Sequence, residues 1–292
     1  MPDARKIKTV IFPVAGLGTR LLPLSKSVPK ELMPVYNKPL IQYAIDEAKK
    51  AGFEKFIFVS SPDKPSLNHY IHADEKLHEY LRIQGKLEMS DMLKNCELEK
   101  KNSIICMQNE PLGLGHAVYT AHPHIGDDEI FAVIAPDDLI LASIPAIGQL
   151  KQAYERHGGI LAAVEKIDKK NANKYGILRL SPDDNDADGA EKTSIKAIDL
   201  VEKPSPEKAP SCYAIITRYI LDGRIMPILK NLPAGAGGEI QLTDAMRGLM
   251  QDTDFHGVLL EGRRFDCGSY QGLYEANHHV ALQENANNDN KE

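Results

Sequence analysis

The residues best suited to chemistry lie in the loop that follows the first apolar run of the chain. Gly16-Leu17-Gly18-Thr19-Arg20 combines two glycines, whose backbone N–H groups can approach a phosphate, with a guanidinium that can pair with one. Lys30 adds a second cation. Leu21 replaces the third glycine of the dinucleotide fingerprint, and the P-loop spacing is absent. The residues alone leave two interpretations open, an anion-binding loop or a plain tight turn.

A carboxylate follows a second apolar run. Asp137 follows the run at 130–135 after one intervening proline, and that run has the character of a buried strand. The carboxyl ends of parallel strands form the edge where open sheets bind ligands. Mg²⁺ is typically held by one or two carboxylates together with substrate phosphates. Asp137 is therefore a candidate metal ligand, and the alternative is an ordinary Asp-Asp turn.

Three other signals are weaker. The acidic stretch at 184–189 imitates the start of a calcium-binding loop, but Ile195 stands where the bidentate glutamate is required. Histidines at 69–78 and 278–279 lack a completing set of cysteine or acidic ligands, so we interpret them as surface residues. Cys267 adjoins Asp266, and a packed, inert thiol is the simplest interpretation.

The elements that must position these residues follow from hydrophobic patterning. Apolar β-branched runs alternate with amphipathic segments in the first half, which indicates βαβ units and a parallel sheet. We therefore predict an α/β fold with a Rossmann-like, mostly parallel central sheet, flanked by helices and carrying a small antiparallel β addition. The predicted strands of this half are 8–15, 55–61, 103–108, 129–135 and 159–165, and the predicted helices lie near 41–50, 65–100, 115–122 and 144–154.

The hydrophobic pattern of the sequence changes from Tyr175 onward. Residues 177–180 and 194–201 are typical of antiparallel strands around a polar loop at 181–192. Helices are predicted near 219–230, 239–250 and 270–283, with a strand-like run at 258–265. Residues 285–292 form a polar tail, so a single domain is predicted over 1–284.

Composition excludes several classes of protein. The chain has 292 residues, of which 42% are hydrophobic, and a net charge of −6. Broad electrostatic capture of nucleic acid or of an anionic membrane is therefore not expected. Four scattered cysteines, the lack of a signal-peptide pattern and the lack of a long apolar run predict a cytoplasmic protein.

Taken together, the motifs resemble the signature of the sugar-phosphate nucleotidyltransferases, and most of all the bacterial UTP–glucose-1-phosphate uridylyltransferases. The resemblance spans nearly the whole chain in family order. It is carried by residues 13–20, Pro29-Lys30-Glu31, 38–43, 113–117, Pro136-Asp137-Asp138, Tyr175-Gly176, Val201-Glu202-Lys203-Pro204, 238–244 and Asp266-Cys267-Gly268.

The resemblance implies a reaction in which UTP and α-D-glucose 1-phosphate give UDP-glucose and pyrophosphate with Mg²⁺. It implies a nucleotide-binding half at about 1–140, a sugar-binding half at about 141–284 and a homo-oligomer, dimer or tetramer. It implies Arg20, Lys30 and Lys203 as catalytic residues and Asp137 and Asp266 as metal ligands. The implied nucleotide-binding residues are Ala15, Gly16, Gly18, Thr19, Glu31, Gln108 and Gly113, and the implied sugar-binding residues are Gly176 and Glu202.

The sequence departs from the family pattern at two places. Gly238 stands where an acidic residue is common, and residues 269–271 lack a usual lysine. Two alternatives therefore stay open. The chain could use another sugar 1-phosphate or dTTP, or it could bind a UDP-sugar without turnover.

Overall fold

A nine-stranded sheet runs through the centre of the molecule. The computed structural model describes residues 2–182 and 193–289, and within these ranges there are thirteen strands, nine of them in this sheet. In chain order they are β1 (Thr9–Pro13), β2 (Pro34–Val35), β3 (Lys38–Pro39), β4 (Lys55–Ser60), β5 (Ser103–Met107), β6 (Ile130–Ile134), β7 (Asp138–Leu141), β8 (Ile160–Lys166), β9 (Gly176–Leu180), β10 (Ser194–Glu202), β11 (Tyr213–Asp222), β12 (Phe255–Leu259) and β13 (Arg263–Asp266).

The central sheet is mixed rather than mostly parallel. Its strand order is β5-β4-β1-β6-β11-β8-β12-β10-β9. The first four strands pair in parallel, as do β8 and β12, whereas β11 is antiparallel to both of its neighbours and β10 to both of its own. The α/β class is confirmed. Strands β9, β10 and β11, which run antiparallel to their neighbours, belong to the main sheet, and among the described residues β2–β3 and β7–β13 form two separate small sheets.

Helices cover both faces of the sheet because its strands are apolar on both sides. In β1, Val10 and Phe12 pack with the helices of one face, and Ile11 packs with those of the other. One face carries α1, α2 and α6, and the opposite face carries α5, α7 and α8. The helices are α1 (Leu40–Lys50), α2 (Pro65–Ile71), α3 (Glu75–Ile83), α4 (Leu87–Cys96), α5 (Leu114–Thr120), α6 (Ala146–His157), α7 (Ile225–Asn231), α8 (Leu242–Leu249) and α9 (Tyr270–Asp289).

A third, smaller core lies beneath α9. Leu139 from β7 and Phe265 from β13 pack there with Ala276 and Val280 of the helix. The two strands pair antiparallel, with Asp138 opposite Asp266. This small sheet therefore brings two acidic segments together that are far apart in the sequence. None of the helices in the described residues is long and apolar enough to span a membrane.

Several predicted elements differ from the structure. The helix predicted near 219–230 is wrong at its start, since residues 213–222 form the buried strand β11 and the helix begins only at Ile225. The run at 258–265 is divided between β12 and β13, which belong to different sheets. The last helix continues to Asp289, into the segment that we predicted as a tail. The acidic stretch at 184–189 lies outside the described residues.

Candidate active site

The loops that follow β1, β4, β5 and β6 meet at the carboxyl edge of the parallel strands, where open sheets bind ligands. Two cavities open there. The glycine-loop cavity has a volume of about 470 Å³ and the central cavity about 790 Å³. They share three lining residues, Leu114, Asp137 and Glu239. A ligand with two different ends would therefore extend from one cavity into the other past Asp137.

All the site residues predicted from the sequence line one of these cavities except Glu31. Asp137 belongs to both cavities and is therefore the point where the two sets meet. The glycine-loop cavity is lined by Ala15, Gly16, Gly18, Thr19, Lys30, Gln108, Gly113 and Asp137. The central cavity is lined by Arg20, Asp137, Gly176, Glu202, Lys203 and Asp266.

An ion pair stands at the junction of the cavities. Lys30 Nζ donates a hydrogen bond of 2.6 Å to Asp137 Oδ2. Burial by itself would lower the pKa of Lys30, but the carboxylates of Asp137 and Glu31 outweigh it and raise that pKa. Burial would likewise raise the pKa of Asp137, and the Lys30 ammonium reverses this and lowers it. Both groups are therefore charged at neutral pH.

A buried guanidinium fixes the turn that presents Asp137. Arg218 on β11 donates hydrogen bonds to Ala135 O at 3.1 Å and to Asp138 O at 2.8 Å, on either side of Asp137. The same side chain, 1% exposed, makes a two-pronged ion pair with Glu47 of α1. Removal of either partner would leave a buried charge uncompensated. The buried Arg218–Glu47 pair therefore fixes the backbone turn that carries the Asp137 carboxylate.

Arg20 and Asp266 form a second ion pair, on the wall of the central cavity. Arg20 Nη1 lies 2.9 Å from Asp266 Oδ2, and the Arg20 side chain is largely exposed. Gly268 packs against this pair. A Cβ at that position would contact Arg20 Nη2 and would lie 3.1 Å from Asp137 Oδ2. A larger side chain at this position would therefore displace the end of Arg20 from its place beside Asp266.

Glu31 does not reach either cavity, in contrast to the prediction that it contacts the nucleotide. It is fully buried and pairs with Lys64, whose Nζ lies 2.8 Å from Glu31 Oε2. Lys64 also donates to Val14 O and Gly16 O, at 2.7 Å each, so its three hydrogens are all used. Burial raises the pKa of Glu31 and lowers that of Lys64. Lys64 therefore fixes the backbone at the start of the glycine loop through its hydrogen bonds to Val14 O and Gly16 O.

The far wall of the central cavity is built where β10 ends. Glu202 Oε2 accepts a hydrogen bond of 2.8 Å from Thr243, and Glu202 Oε1 lies 3.3 Å from Lys203 Nζ. Lys203 has a φ of +46°, a left-handed conformation that few residues other than glycine adopt. Its backbone N–H donates to Tyr175 O at 2.9 Å. Such strain at a cavity wall is typical of functional positions.

Two acidic side chains fit a divalent cation. Asp137 and Asp266 both line the central cavity, and carboxylate oxygens are the donors that Mg²⁺ prefers. Asp138 is committed elsewhere, since its oxygens accept hydrogen bonds from Arg264 at 2.8 Å and from Thr217 at 2.8 Å. No cluster of three or more His, Cys, Asp or Glu ligands occurs within residues 2–182 and 193–289. The pair therefore suits Mg²⁺ whose remaining ligands are phosphates and water.

Sequence patterning did not identify Lys64, Arg218 or Arg264. Their roles depend on partners far along the chain, and a lone basic residue in a sequence gives no signal of burial. Glu239 and Thr243, which line the central cavity, belong to the family motif at 238–244, and that motif is the sequence feature that could have identified them as site residues.

The residues that depart from the family pattern have definable surroundings. Gly238 has a φ of +76° and no described atom within 4 Å of the place a Cβ would take. Tyr270 Oη donates to Leu21 O at 3.0 Å. Cys267 is buried, and burial raises the pKa of its thiol to about 12, so it is an inert packing residue as predicted.

The comparisons with known proteins agree along nearly the whole chain. The family model described as nucleotidyl transferase matches residues 8–283. UTP–glucose-1-phosphate uridylyltransferase YngB of Bacillus subtilis (strain 168) is 39% identical, over 95% of this chain and 91% of its own length. The UTP–glucose-1-phosphate uridylyltransferase of Komagataeibacter xylinus is 40% identical, over 91% and 90%.

Solved structures give the same result. The UTP-bound UGPase from Acinetobacter baumannii matches with a TM-score of 0.84 and 35% identity, over 95% of this chain and 94% of that one. A UDP-glucose pyrophosphorylase complexed with UDP-glucose matches with a TM-score of 0.81 and 33% identity, over 95% and 99%. The chain therefore belongs to the nucleotidyl transferase family, in the branch of the UTP–glucose-1-phosphate uridylyltransferases.

Proposed function

We propose that the protein transfers a uridylyl group from UTP to α-D-glucose 1-phosphate, giving UDP-glucose and pyrophosphate. The observation that carries this proposal is the arrangement of two cavities that meet at Asp137, with Lys30, Arg20 and Lys203 around the junction. Two anionic substrates need such a set of cations before they can approach each other. Relatives named for this reaction, and neighbours solved with UTP and with UDP-glucose, agree with it.

The nucleotide occupies the glycine-loop cavity. The uracil ring lies against Gln108 and Gly113, and the triphosphate lies along the loop at 15–19 with Lys30 beside it. Gly113 has a φ of +97°, and a Cβ there would lie 2.7 Å from Glu239 Cβ. Only glycine therefore allows the backbone at 113 to form this wall. Arg20, at the rim of the central cavity, neutralises the leaving pyrophosphate.

The sugar phosphate occupies the central cavity. Glu202, oriented by Thr243, accepts hydrogen bonds from sugar hydroxyls, and Gly176 offers backbone beside it. Lys203 holds the attacking phosphate and screens its charge from the triphosphate. Its strained backbone directs the side chain from the end of β10 toward the cavity.

The reaction needs charge neutralisation and alignment rather than proton transfer. A sugar phosphate oxygen is already an anion at neutral pH. It forms a bond to the α-phosphorus of UTP while the bond from that phosphorus to the bridging oxygen breaks, and pyrophosphate leaves with the electron pair. Asp137 and Asp266 would hold Mg²⁺, which supplies positive charge to the phosphates. Lys30, Arg20 and Lys203 hold the anions in line.

A pyrophosphate-release assay with UTP, glucose 1-phosphate and Mg²⁺ tests the proposal. Rapid release that depends on both substrates is expected. A parallel screen with dTTP and with galactose 1-phosphate or amino-sugar 1-phosphates would expose a different specificity. Binding of UDP-glucose by calorimetry without any release of pyrophosphate would instead identify a non-catalytic binding protein. Light scattering in solution tests the homo-oligomer, dimer or tetramer, that we also propose.

A further inference from the structure

Arg20 occupies a carboxylate that the proposed reaction assigns to a metal ion. Arg20 Nη1 donates to Asp266 Oδ2 at 2.9 Å, and Arg20 Nη2 donates to Asp266 Oδ1 at 3.4 Å. The backbone N–H of Gly268 donates to the same Oδ1 at 3.2 Å. Both oxygens of Asp266 are therefore engaged by donors of the protein, and a cation that binds this carboxylate must displace Arg20 from it.

The pair between Arg20 and Asp266 is easier to separate than the pair between Lys30 and Asp137. Lys30 Nζ donates to Asp137 Oδ2 at 2.6 Å, and the Lys30 side chain is only 18% exposed. The Arg20 side chain is 60% exposed, so it is free to rotate. An ion pair that water reaches contributes little stabilisation. A ligand of higher charge can therefore take Arg20 away from Asp266 at low cost.

A guanidinium recognises a carboxylate and a phosphate in the same way. In both cases its planar fork donates parallel hydrogen bonds to a pair of oxygens. Arg20 lines the central cavity, and its neighbours Gly18 and Thr19 line the glycine-loop cavity. Asp266 and the phosphates of a nucleotide on the glycine loop are therefore both within reach of this side chain. A polyphosphate carries more negative charge than a carboxylate and attracts the guanidinium more strongly.

The charges of the free site oppose the binding of a metal ion. In the free protein, each of the two carboxylates is paired with one basic side chain, so that their formal charges cancel. A group of side chains without net charge attracts a divalent cation weakly. When Arg20 moves to the phosphates, Asp266 loses its counter-charge, and the site regains the negative charge that a divalent cation requires.

We propose that Arg20 withholds Asp266 from the divalent cation until a nucleotide binds. The side chain exchanges the carboxylate for the phosphates, and Asp266 is then able to bind the cation. Nucleotide and cation consequently bind with positive coupling, and the coupling is reciprocal. This inference rests on the proposed function, since it takes the phosphates and the metal ion from that reaction.

Arg20→Met is the direct test, with Mn²⁺ alone as the probe in place of Mg²⁺. Electron paramagnetic resonance measures the binding of Mn²⁺ to the full chain without nucleotide. We expect the Kd for Mn²⁺ to fall roughly 3- to 10-fold in Arg20→Met, because the variant frees Asp266 from a two-pronged ion pair. Lys174→Met is the matched control, since the exposed Lys174 lines the same cavity and donates to Asn171. This control should change the Kd less than about twofold, because water and salt screen the charge of Lys174.

A double-mutant cycle with Asp266→Asn identifies the carboxylate that Arg20 withholds. In the Asp266→Asn background, Arg20→Met should tighten Mn²⁺ binding no more than Lys174→Met does. The same four proteins are titrated with UTP in EDTA by calorimetry. Asp266→Asn should tighten the metal-free binding of UTP, because it releases Arg20, and this gain should be smaller when Arg20 is replaced by methionine.

Two results would overturn the proposal. In the first, Arg20→Met leaves the Kd for Mn²⁺ unchanged. In the second, Arg20→Met tightens Mn²⁺ binding equally with and without the Asp266 carboxylate. Both affinities are measured without turnover, so failure of the pyrophosphate assay would refute the proposed reaction and leave this test intact.

Discussion

Replacement of Asp137 by asparagine separates the catalytic role of the junction from its structural role. The change keeps the shape of the side chain and removes one charge from the pair with Lys30, whose atoms are 2.6 Å apart. The two side chains are only 18% and 17% exposed, so water screens the pair weakly. Of the two carboxylates that raise the pKa of Lys30, only Glu31 would then remain charged beside its ammonium.

Two magnitudes follow from this geometry. A charge that loses its partner in such a setting typically costs about 3 kcal/mol of unfolding free energy, which lowers Tm by roughly 6–12 °C in a chain of this size. Loss of the proposed metal ligand and its charge from the site should lower kcat by about 10²–10³. The stability loss should be constant between about pH 5 and pH 9. The lowered pKa of Asp137 keeps its stabilising contribution present above about pH 4, and the raised pKa of Lys30 keeps its own below about pH 10.

The assay combines pyrophosphate release with thermal unfolding at pH 7.5. Lys30→Met in the Asp137→Asn background removes the orphaned charge, so it should recover most of the lost Tm while activity stays low. A folded Asp137→Asn variant with kcat within threefold of the wild type would refute the assignment of Asp137 to the site. A double variant no more stable than Asp137→Asn would refute the ion-pair argument.

Three further perturbations extend the test. Lys203→Ala should lower kcat by about 10²–10³ without loss of Tm. The control variant Lys208→Ala, at an exposed lysine nearby, should leave both kcat and Tm unchanged. Equal rates for the two variants would remove Lys203 from the mechanism. Lys64→Met should raise the KM for UTP about tenfold, because the glycine loop loses its anchor, and should cost about 3 kcal/mol in denaturant unfolding. In Lys64→Met the unfolding free energy should also fall as the pH rises above about 4.5, the ordinary pKa of a glutamate. Burial raises the pKa of Glu31 in the folded state, so the neutral form that the folded state favours is lost as the pH rises; a flat profile would contradict the buried carboxylate. Chelation by EDTA should abolish pyrophosphate release and added Mg²⁺ should restore it, and an undiminished rate in chelator would remove the metal.

Hydrophobic patterning located most elements of the fold because the parallel strands are long apolar runs with polar loops between them. It misassigned residues 219–222 because a strand buried on both faces has no period of two and cannot be told from a buried helix. It also merged β12 with β13. The chain changes direction between the two strands at Gly262, which has a φ of +123°. As a result, β13 joins a different sheet from β12. Which sheet a strand joins is decided by tertiary packing that a local pattern does not record.

The sequence indicated the cavity-lining residues that belong to motifs of consecutive residues. The loop at 15–19, Asp137 and the segment at 202–203 all line the two cavities at the carboxyl edge of the sheet. Glu31 is the exception, because its side chain turns inward to Lys64 while the adjacent Lys30 lines the glycine-loop cavity. Such pairs depend on the register between distant loops, and a single sequence contains no information on that register.

The ladder between β6 and β11 has a mechanical consequence. The first half of the chain contributes β6, and the second half contributes β11, which pairs with it over residues 130–134 and 218–222. The two halves therefore share one continuous set of backbone hydrogen bonds and cannot swing apart as separate bodies. In the proposed reaction, substrate entry and product exit would therefore involve the surface loops around the cavities rather than a hinge between the two halves of the sheet.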